Sequence, residues 1–306
     1  MKSSILLLCT VSLLWYGCGV GDTQNTMKRA MKAASQQDWE TVRELSEKHL
    51  HAVPTDNDAS VLLALSLFYT EADKPASIDR AINCMRQVLT SETQRYDLHF
   101  IYGWILLNTG RYQEARVPLQ AAYELHFKDP HTMGQDSQGM VKYALGRCCM
   151  MNSLFKDALN YYEQAAKSTG FNDWVTLYND MACCHAFQGN YVAAMKCMFM
   201  ATQKEENNRK ASEEERKKHP ERPPYVNPYV YLLTLNTAVV CDYLSYPQNN
   251  PGNAASYSAV RLGWYDKAEV ELAEVAENSV NASQQQRLYN TLKQINQRKA
   301  TLQASK

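Results

Sequence analysis

Apolar positions recur along most of this chain with a helical period, and short turns interrupt them at regular places. The clearest stretch is 97–130. Tyr102, Gly103, Leu106 and Leu107 begin one apolar face, and Leu119 and Ala122 continue another. Between them lies Gly110-Arg111-Tyr112-Gln113-Glu114-Ala115. Gly110 supplies the left-handed backbone that ends a helix. Tyr112 packs back across the hairpin, and the small Ala115 lets the two helices approach. The pattern predicts two amphipathic helices joined by a tight turn.

That motif recurs. Gly189-Asn190-Tyr191-Val192-Ala193-Ala194 and Gly263-Trp264-Tyr265-Asp266-Lys267-Ala268 repeat it, and Ser153-Leu154-Phe155-Lys156-Asp157-Ala158 does so with Ser for Gly. A weaker copy at 26–54 has Gln37 at the Gly position, Trp39 at the aromatic one and Pro54 at its end. At 58–90, Ala64, Ala81 and the helical pattern remain. Ala81 and Ala115 are 34 residues apart. The steps of 43 to Ala158 and 36 to Ala194 carry small insertions, and the step of 74 to Ala268 is irregular.

Self-similarity at this period means stacked helical hairpins. The residues Gly103, Gly110, Tyr112, Ala115, Ala122 and Pro130 resemble the tetratricopeptide repeat (TPR), a helix–turn–helix unit of about 34 residues. The resemblance implies an all-α, TPR-type helical-hairpin solenoid, a right-handed superhelix of five to six repeats with a C-terminal capping helix. The expected divisions are a leader at 1–25, repeats 1–5 over 26–202, a charged helix extension and Pro-rich break at 203–228, and an irregular last repeat with its cap at 229–306. The array is expected to be continuous, with no internal linker. Residues 204–219 alternate acids and bases, which suits a solvated extension of the preceding helix with i,i+4 pairs; a docking arm for another subunit is the sharper alternative. Pro220, Pro223, Pro224 and Pro228 end it. Residues 229–246 read as a long apolar helix, followed by a break, the Gly263 turn and a helix to about Asn278. Leu288, Leu292, Ile295 and Leu302 give 284–303 the thin apolar stripe of a cap.

The first residues carry a different signal. Lys2 precedes an apolar run over 5–16, too short to span a bilayer and the right length for a signal-peptide core. Gly17-Cys18 then resembles a bacterial lipobox, which implies lipidation at Cys18 and an outer-membrane lipoprotein facing the periplasm. Cleavage after Gly19, giving a soluble periplasmic protein, and a retained apolar anchor are the alternatives.

Composition narrows the function classes. The chain has 32 basic and 32 acidic residues, so it lacks the basic excess of a nucleic-acid binder. No Gly-x-Ser-x-Gly, phosphate-binding Gly loop or His-Glu-x-x-His is present. The seven histidines are scattered, and none has an evident orienting partner. The chain is expected to be no enzyme and to need no cofactor or metal. Cys148, Cys149, Cys183 and Cys184 form two vicinal pairs. Neighbours on a helix point about 100° apart and chelate poorly, so they read as small buried fillers; a thiol or metal protein is the alternative. Asn281-Ala282-Ser283 is a glycosylation sequon in form only.

The resemblance also implies a binding face. First helices of TPR hairpins line a groove, and the matching positions here are Leu65, Phe68, Tyr69, Phe100, Trp104, Leu107, Asn108, Tyr143, Arg147, Met150, Met151, Asn179 and Phe187, with Cys183. This aromatic set with one Arg and nearby Asn suits a protein or peptide partner. Two other uses compete: packing between repeats, and a groove filled by the chain's own 229–246 helix. The expected function is a non-catalytic scaffold or adaptor at the bacterial cell envelope. The alternative is a soluble periplasmic module for peptide or oligosaccharide.

Overall fold

The computed structural model describes residues 21–128, 135–168, 175–222, 227, 230–250, 252–277 and 282–304. Residues 1–20 of the expected leader, with the 5–16 run and Cys18, lie outside them, as do Pro223, Pro224, Pro228 and Asn281. The described residues form thirteen helices and no strand. The chain divides between Gly170 and Phe171 into two compact units.

Unit 1 holds eight helices: α1 (Gly21–Ser35), α2 (Trp39–Ala52), α3 (Asn57–Thr70), α4 (Pro75–Ser91), α5 (Tyr96–Asn108), α6 (Tyr112–Lys128), α7 (Gln135–Met151) and α8 (Phe155–Ala166). They pair in chain order as four hairpins. α1 begins at Gly21, so residues 21–25 are helical, and the Thr23 carbonyl lies 3.2 Å from His49 Nδ1.

One turn geometry recurs. At Gly110 (φ 83°) the next residue's N–H donates to Leu106 O at 2.9 Å. Ser153 (φ 61°) is followed by Leu154 N–H donating to Cys149 O, and Gln37 (φ 61°) by Asp38 N–H donating to Ala33 O. This is the Schellman closure, which satisfies helix-end carbonyls through one left-handed residue. Gln37 and Ser153 adopt it despite their Cβ atoms, which costs roughly 1–2 kcal/mol each. The small residues inside the hairpins have a separate cause. A Cβ on Gly146 would lie 2.5 Å from the Tyr162 ring, and one on Gly103 would lie 2.5 Å from Leu119 Cγ.

The first helices of the middle hairpins are apolar all round, the signature of a helix covered on every side. Val61 through Leu67 are buried without interruption in α3, as are Gly103 through Leu107 in α5. At one end of this unit Arg95 gathers acids. It bonds Glu92 at 2.9 Å and Asp97 at 2.7 Å and lies 3.8 Å from Asp58. Three carboxylates share that guanidinium, and burial pushes the Asp58 carboxyl up to about 6 against the pull of Arg95.

Unit 2 holds α9 (Val175–Phe187), α10 (Tyr191–Lys218), α11 (Val230–Leu244), α12 (Ala254–Glu277) and α13 (Ala282–Ala304). Gly189 (φ 75°) closes the α9–α10 turn with the same left-handed geometry. α10 runs on to Lys218, its exposed end carrying the Glu206–Lys210 and Arg209–Glu213 pairs. Asn227 Nδ2 donates to Glu205 at 2.7 Å and pins the returning chain to that helix. α11 packs against α9, α10 and α12, so it takes the place of a hairpin's first helix within this unit.

The turn expected at Gly263 is absent. Gly263 lies inside α12, its φ outside the left-handed region, with open space where a Cβ would stand. The chain reverses earlier, over 245–250, so the second helix gains turns ahead of its motif. α13 lays Leu288, Ile295 and Leu302 in one buried cluster with Tyr265, Ala268 and Leu272 of α12. Asp242 ties the three last helices. Arg298 of α13 holds its Oδ2 with two N–H donors at 2.7 and 2.5 Å, and Arg261 of α12 reaches Oδ1 at 3.2 Å. Tyr265, buried beside them, has its phenol pushed up to about 12, by burial first and by the Asp242 charge second.

Candidate partner-binding faces

The inner helices divide the expected groove residues into two sets. Leu65, Phe100, Trp104, Leu107 and Tyr143 are no more than 4% exposed. The Phe100 and Trp104 rings stand 5.9 Å apart, and Tyr143 stands 5.8 Å from Tyr162. In the folded protein these five side chains form interior and are not open to a partner. For the four on α3 and α5 the reason is the all-round burial of those helices, which leaves their apolar positions facing neighbouring helices, while Tyr143 of α7 packs against Tyr162 of α8.

The others reach the surface to different degrees. Phe68 and Tyr69 are half-buried, and Tyr69 stacks on Trp39 at 4.5 Å. Asn108 is exposed, but its Nδ2 donates to the Trp104 carbonyl of its own helix at 2.8 Å. The Arg147 guanidinium lies 6.0 Å from the Tyr143 ring centre. Met150 takes a contact from the Tyr162 hydroxyl at 3.8 Å, and Met151 is exposed. In unit 2, Asn179 and Cys183 are half-buried and Phe187 is 72% exposed.

Unit 2 also holds a face that motif transfer missed. Leu232, Asn236, Val239 and Tyr243 follow one another at i, i+4, i+7 and i+11 on α11, a single helical stripe. Leu232, Val239 and Tyr243 are exposed. Asn236 Nδ2 donates to Asn179 Oδ1 at 2.9 Å and lies 3.5 Å from Cys183 Sγ, which sets this stripe beside the matching stripe of α9. The Tyr243 ring stacks on Tyr191 at 4.7 Å and 8°. The spacing was readable in the sequence, but only the structure shows α11 beside α9.

The thiols point away from chemistry. Cys148, Cys149, Cys184, Cys197 and Cys241 are buried, and Cys84 and Cys183 half-buried. Burial pushes the Cys183 thiol up to about 12 and those of Cys149 and Cys241 to about 11, so the thiolate that reacts or binds metal is disfavoured. Among the described residues no group of three His, Cys, Asp or Glu side chains is placed to hold a metal ion. Among them, too, no helix is long and apolar enough to cross a membrane.

No family model matches the sequence, and no curated protein matches it. Solved structures do match the fold. PilW, a widely conserved type IV pilus biogenesis factor, aligns at TM-score 0.55 and 16% identity, over 79% of this chain and 92% of its own. MamA of MSR-1 aligns at TM-score 0.51 and 13% identity, over 61% of this chain and 98% of its own. MamA residues 41 to the end from Desulfovibrio magneticus RS-1 align at TM-score 0.51 and 13% identity, over 62% and 98%. PilW and MamA are both TPR proteins. With the hairpin order and the recurring turn, these likenesses give the chain the fold of a tetratricopeptide-repeat protein.

Proposed function

We propose that this chain is a non-catalytic TPR adaptor that holds a protein or peptide partner at the bacterial cell envelope, anchored through a lipid on Cys18. The observation that carries the binding role is the apolar surface on the first helices of unit 2, where Phe187, Leu232, Val239 and Tyr243 stand exposed. Exposed apolar side chains gathered on adjoining helices mark a contact surface. The likeness to PilW, a pilus biogenesis factor, supports an envelope setting. The Gly17-Cys18 pair after an apolar run supports the anchor. The raised thiols disfavour a thiol or metal reading, and His49, which does have an orienting carboxylate in Asp56 at 2.8 Å, is buried with its other ring nitrogen against the Thr23 carbonyl.

A pull-down from native envelope extract tests the role. The full chain is compared with a Phe187→Ser, Val239→Ser variant of equal helicity. A partner held by the wild type and lost by the variant supports the reading; one held equally by both removes these helices from it. Membrane fractionation of the Cys18→Ala protein tests the anchor, and persistent membrane association of that variant refutes it.

A further inference from the structure

We propose that His49 is a proton-operated latch: as an imidazolium it fastens the free end of α1 to the last turn of α2 and the start of α3, and on losing its proton it lets that end open. Such a latch operates whether or not the chain binds a partner.

His49 is 5% exposed, and both of its ring nitrogens face acceptors. Nδ1 lies 3.2 Å from the Thr23 carbonyl of α1, and Nε2 lies 2.8 Å from Oδ2 of Asp56. The other carboxylate oxygen of Asp56 accepts the Ala59 N–H as the cap of α3. Neither a main-chain carbonyl nor a carboxylate has a proton to give. A neutral imidazole carries one N–H, so it makes one of these bonds and turns a lone pair on the other acceptor. The imidazolium donates both. Its place in the last turn of α2, where the helix end is partly negative, suits a cation.

The hairpin is unevenly held, which makes this end the one to open. Near the turn, α1 and α2 share an apolar cluster of Ala30, Ala33, Ala34, Val42 and Leu45. Further along, Met27 continues the cluster, but Thr26, Ser46 and His49 are buried polar positions. Ser46 Oγ has no hydrogen-bond partner among the described residues, so it adds no bond across the seam. The two bonds of His49 are therefore a large part of the hold on the first turn of α1.

The charges around His49 fix the sign. From the α3 side it meets Asp56, and next to that Asp58, which lies 3.8 Å from Arg95, itself paired with Glu92 and Asp97. From α1, Lys28 and Arg29 are exposed. On α2 itself Lys48 and His51 are exposed, and Glu47 pairs with Arg80 of α4 at 2.6 Å. The charged ring thus has an anion as its direct partner. The hold is present in acid and is lost as imidazole neutralises, between about pH 5 and 8. Asp58 titrates close by, its carboxyl pushed up to about 6 by burial first.

The test measures hydrogen-exchange protection of the backbone amides of residues 25–28, corrected for the pH-dependence of intrinsic exchange, near pH 5 and near pH 8. The full chain carries Asp58→Asn, which silences the neighbouring titration. Protection is expected to fall about tenfold at the higher pH, the worth of one charge-assisted hydrogen bond, while α5 and α6 keep theirs. Adding Asp56→Asn keeps a good helix cap and gives the replacement amide an N–H to donate to Nε2, so the neutral ring then satisfies both contacts. The pH effect is expected to vanish or reverse. His49→Gln is expected to leave the first turn weakly protected and indifferent to pH; if that variant does not fold, the Asp56→Asn comparison decides alone. Protection of residues 25–28 that does not change with pH, an equal fall in α5 and α6, or the same fall after Asp56→Asn or His49→Gln overturns the latch.

Discussion

Unit 1 and unit 2 share one hairpin plan and use it differently. Among the described residues of unit 1 the large apolar side chains that stand exposed are Val117 and Met151. In unit 2 they include Phe187, Val192, Phe199, Leu232, Val239, Tyr243, Val260, Val270 and Tyr289. Their polar centres are reversed too. Unit 1 surrounds one guanidinium, Arg95, with Glu92, Asp97 and Asp58. Unit 2 surrounds one carboxylate, Asp242, with Arg261 and Arg298. The first arrangement leaves an acid strained by burial; the second saturates its acid. The same fold thus serves as packed framework in one region and as apolar surface stiffened by a saturated ion cluster in the other.

The sharpest way to break this comparison is Asp242→Asn. Two guanidiniums lose their charged partner; Arg298 is 37% exposed, so solvent takes up part of the loss and the cost is about 2–3 kcal/mol. Hydrogen exchange is expected to accelerate in α11–α13 while α3–α6 keep their protection; uniform loss along the chain would mean that the node does not act on unit 2 alone. The framework side is broken by Gly146→Ala. Its methyl group meets the Tyr162 ring and costs about 1–3 kcal/mol by overpacking. Urea unfolding should show the loss, and Gly263→Ala, facing open space, should not.

The strained acid gives a test by pH. Asp58 has a folded value of about 6 against an ordinary 3.8. Its share of stability is therefore fully present below about 4 and is lost as pH rises through 6. Asp58→Asn should match the wild type near pH 4 and exceed it near pH 7 by on the order of 1–2 kcal/mol, because the side chain no longer has to ionise while buried. Urea midpoints at the two pH values measure it. The smallest effect is expected from Gln37→Gly, which relieves a left-handed Cβ and gains about 1 kcal/mol less the extra freedom of the unfolded chain. A midpoint below that of the wild type would refute strain at this turn.

How much of this was legible follows from where each signal resides. Turn chemistry is local, so Gly110 and Gly189 announced their turns. Ser153 and Gln37 hold the same geometry because the following helix docks regardless of the turn residue. Gly263 misled because its motif lacks its context: the reversal had already occurred over 245–250. The inner helices were legible as helices, but their faces were not. The unbroken apolar run Val61–Leu67 itself signals burial on all sides, and reading it as groove lining gave Leu65 to the wrong surface. Asn236 was invisible as a site residue because its partner, Asn179, is 57 positions away.

The Asp242 node also sets how this array can grow. Repeat chains lengthen by duplicating hairpins, and a new hairpin needs a neighbour whose face is already made. Here the terminal helix supplies Arg298 to an acid two helices back and lays Leu288, Ile295 and Leu302 on α12. A hairpin added after α13 would find a cap, while one inserted between α12 and α13 would separate Arg298 from Asp242. Room for extra repeats therefore lies ahead of α9, since a hairpin placed between α10 and α11 would part Asn236 from Asn179 and Tyr243 from Tyr191, and a chimera that changes the length of this protein should be spliced there.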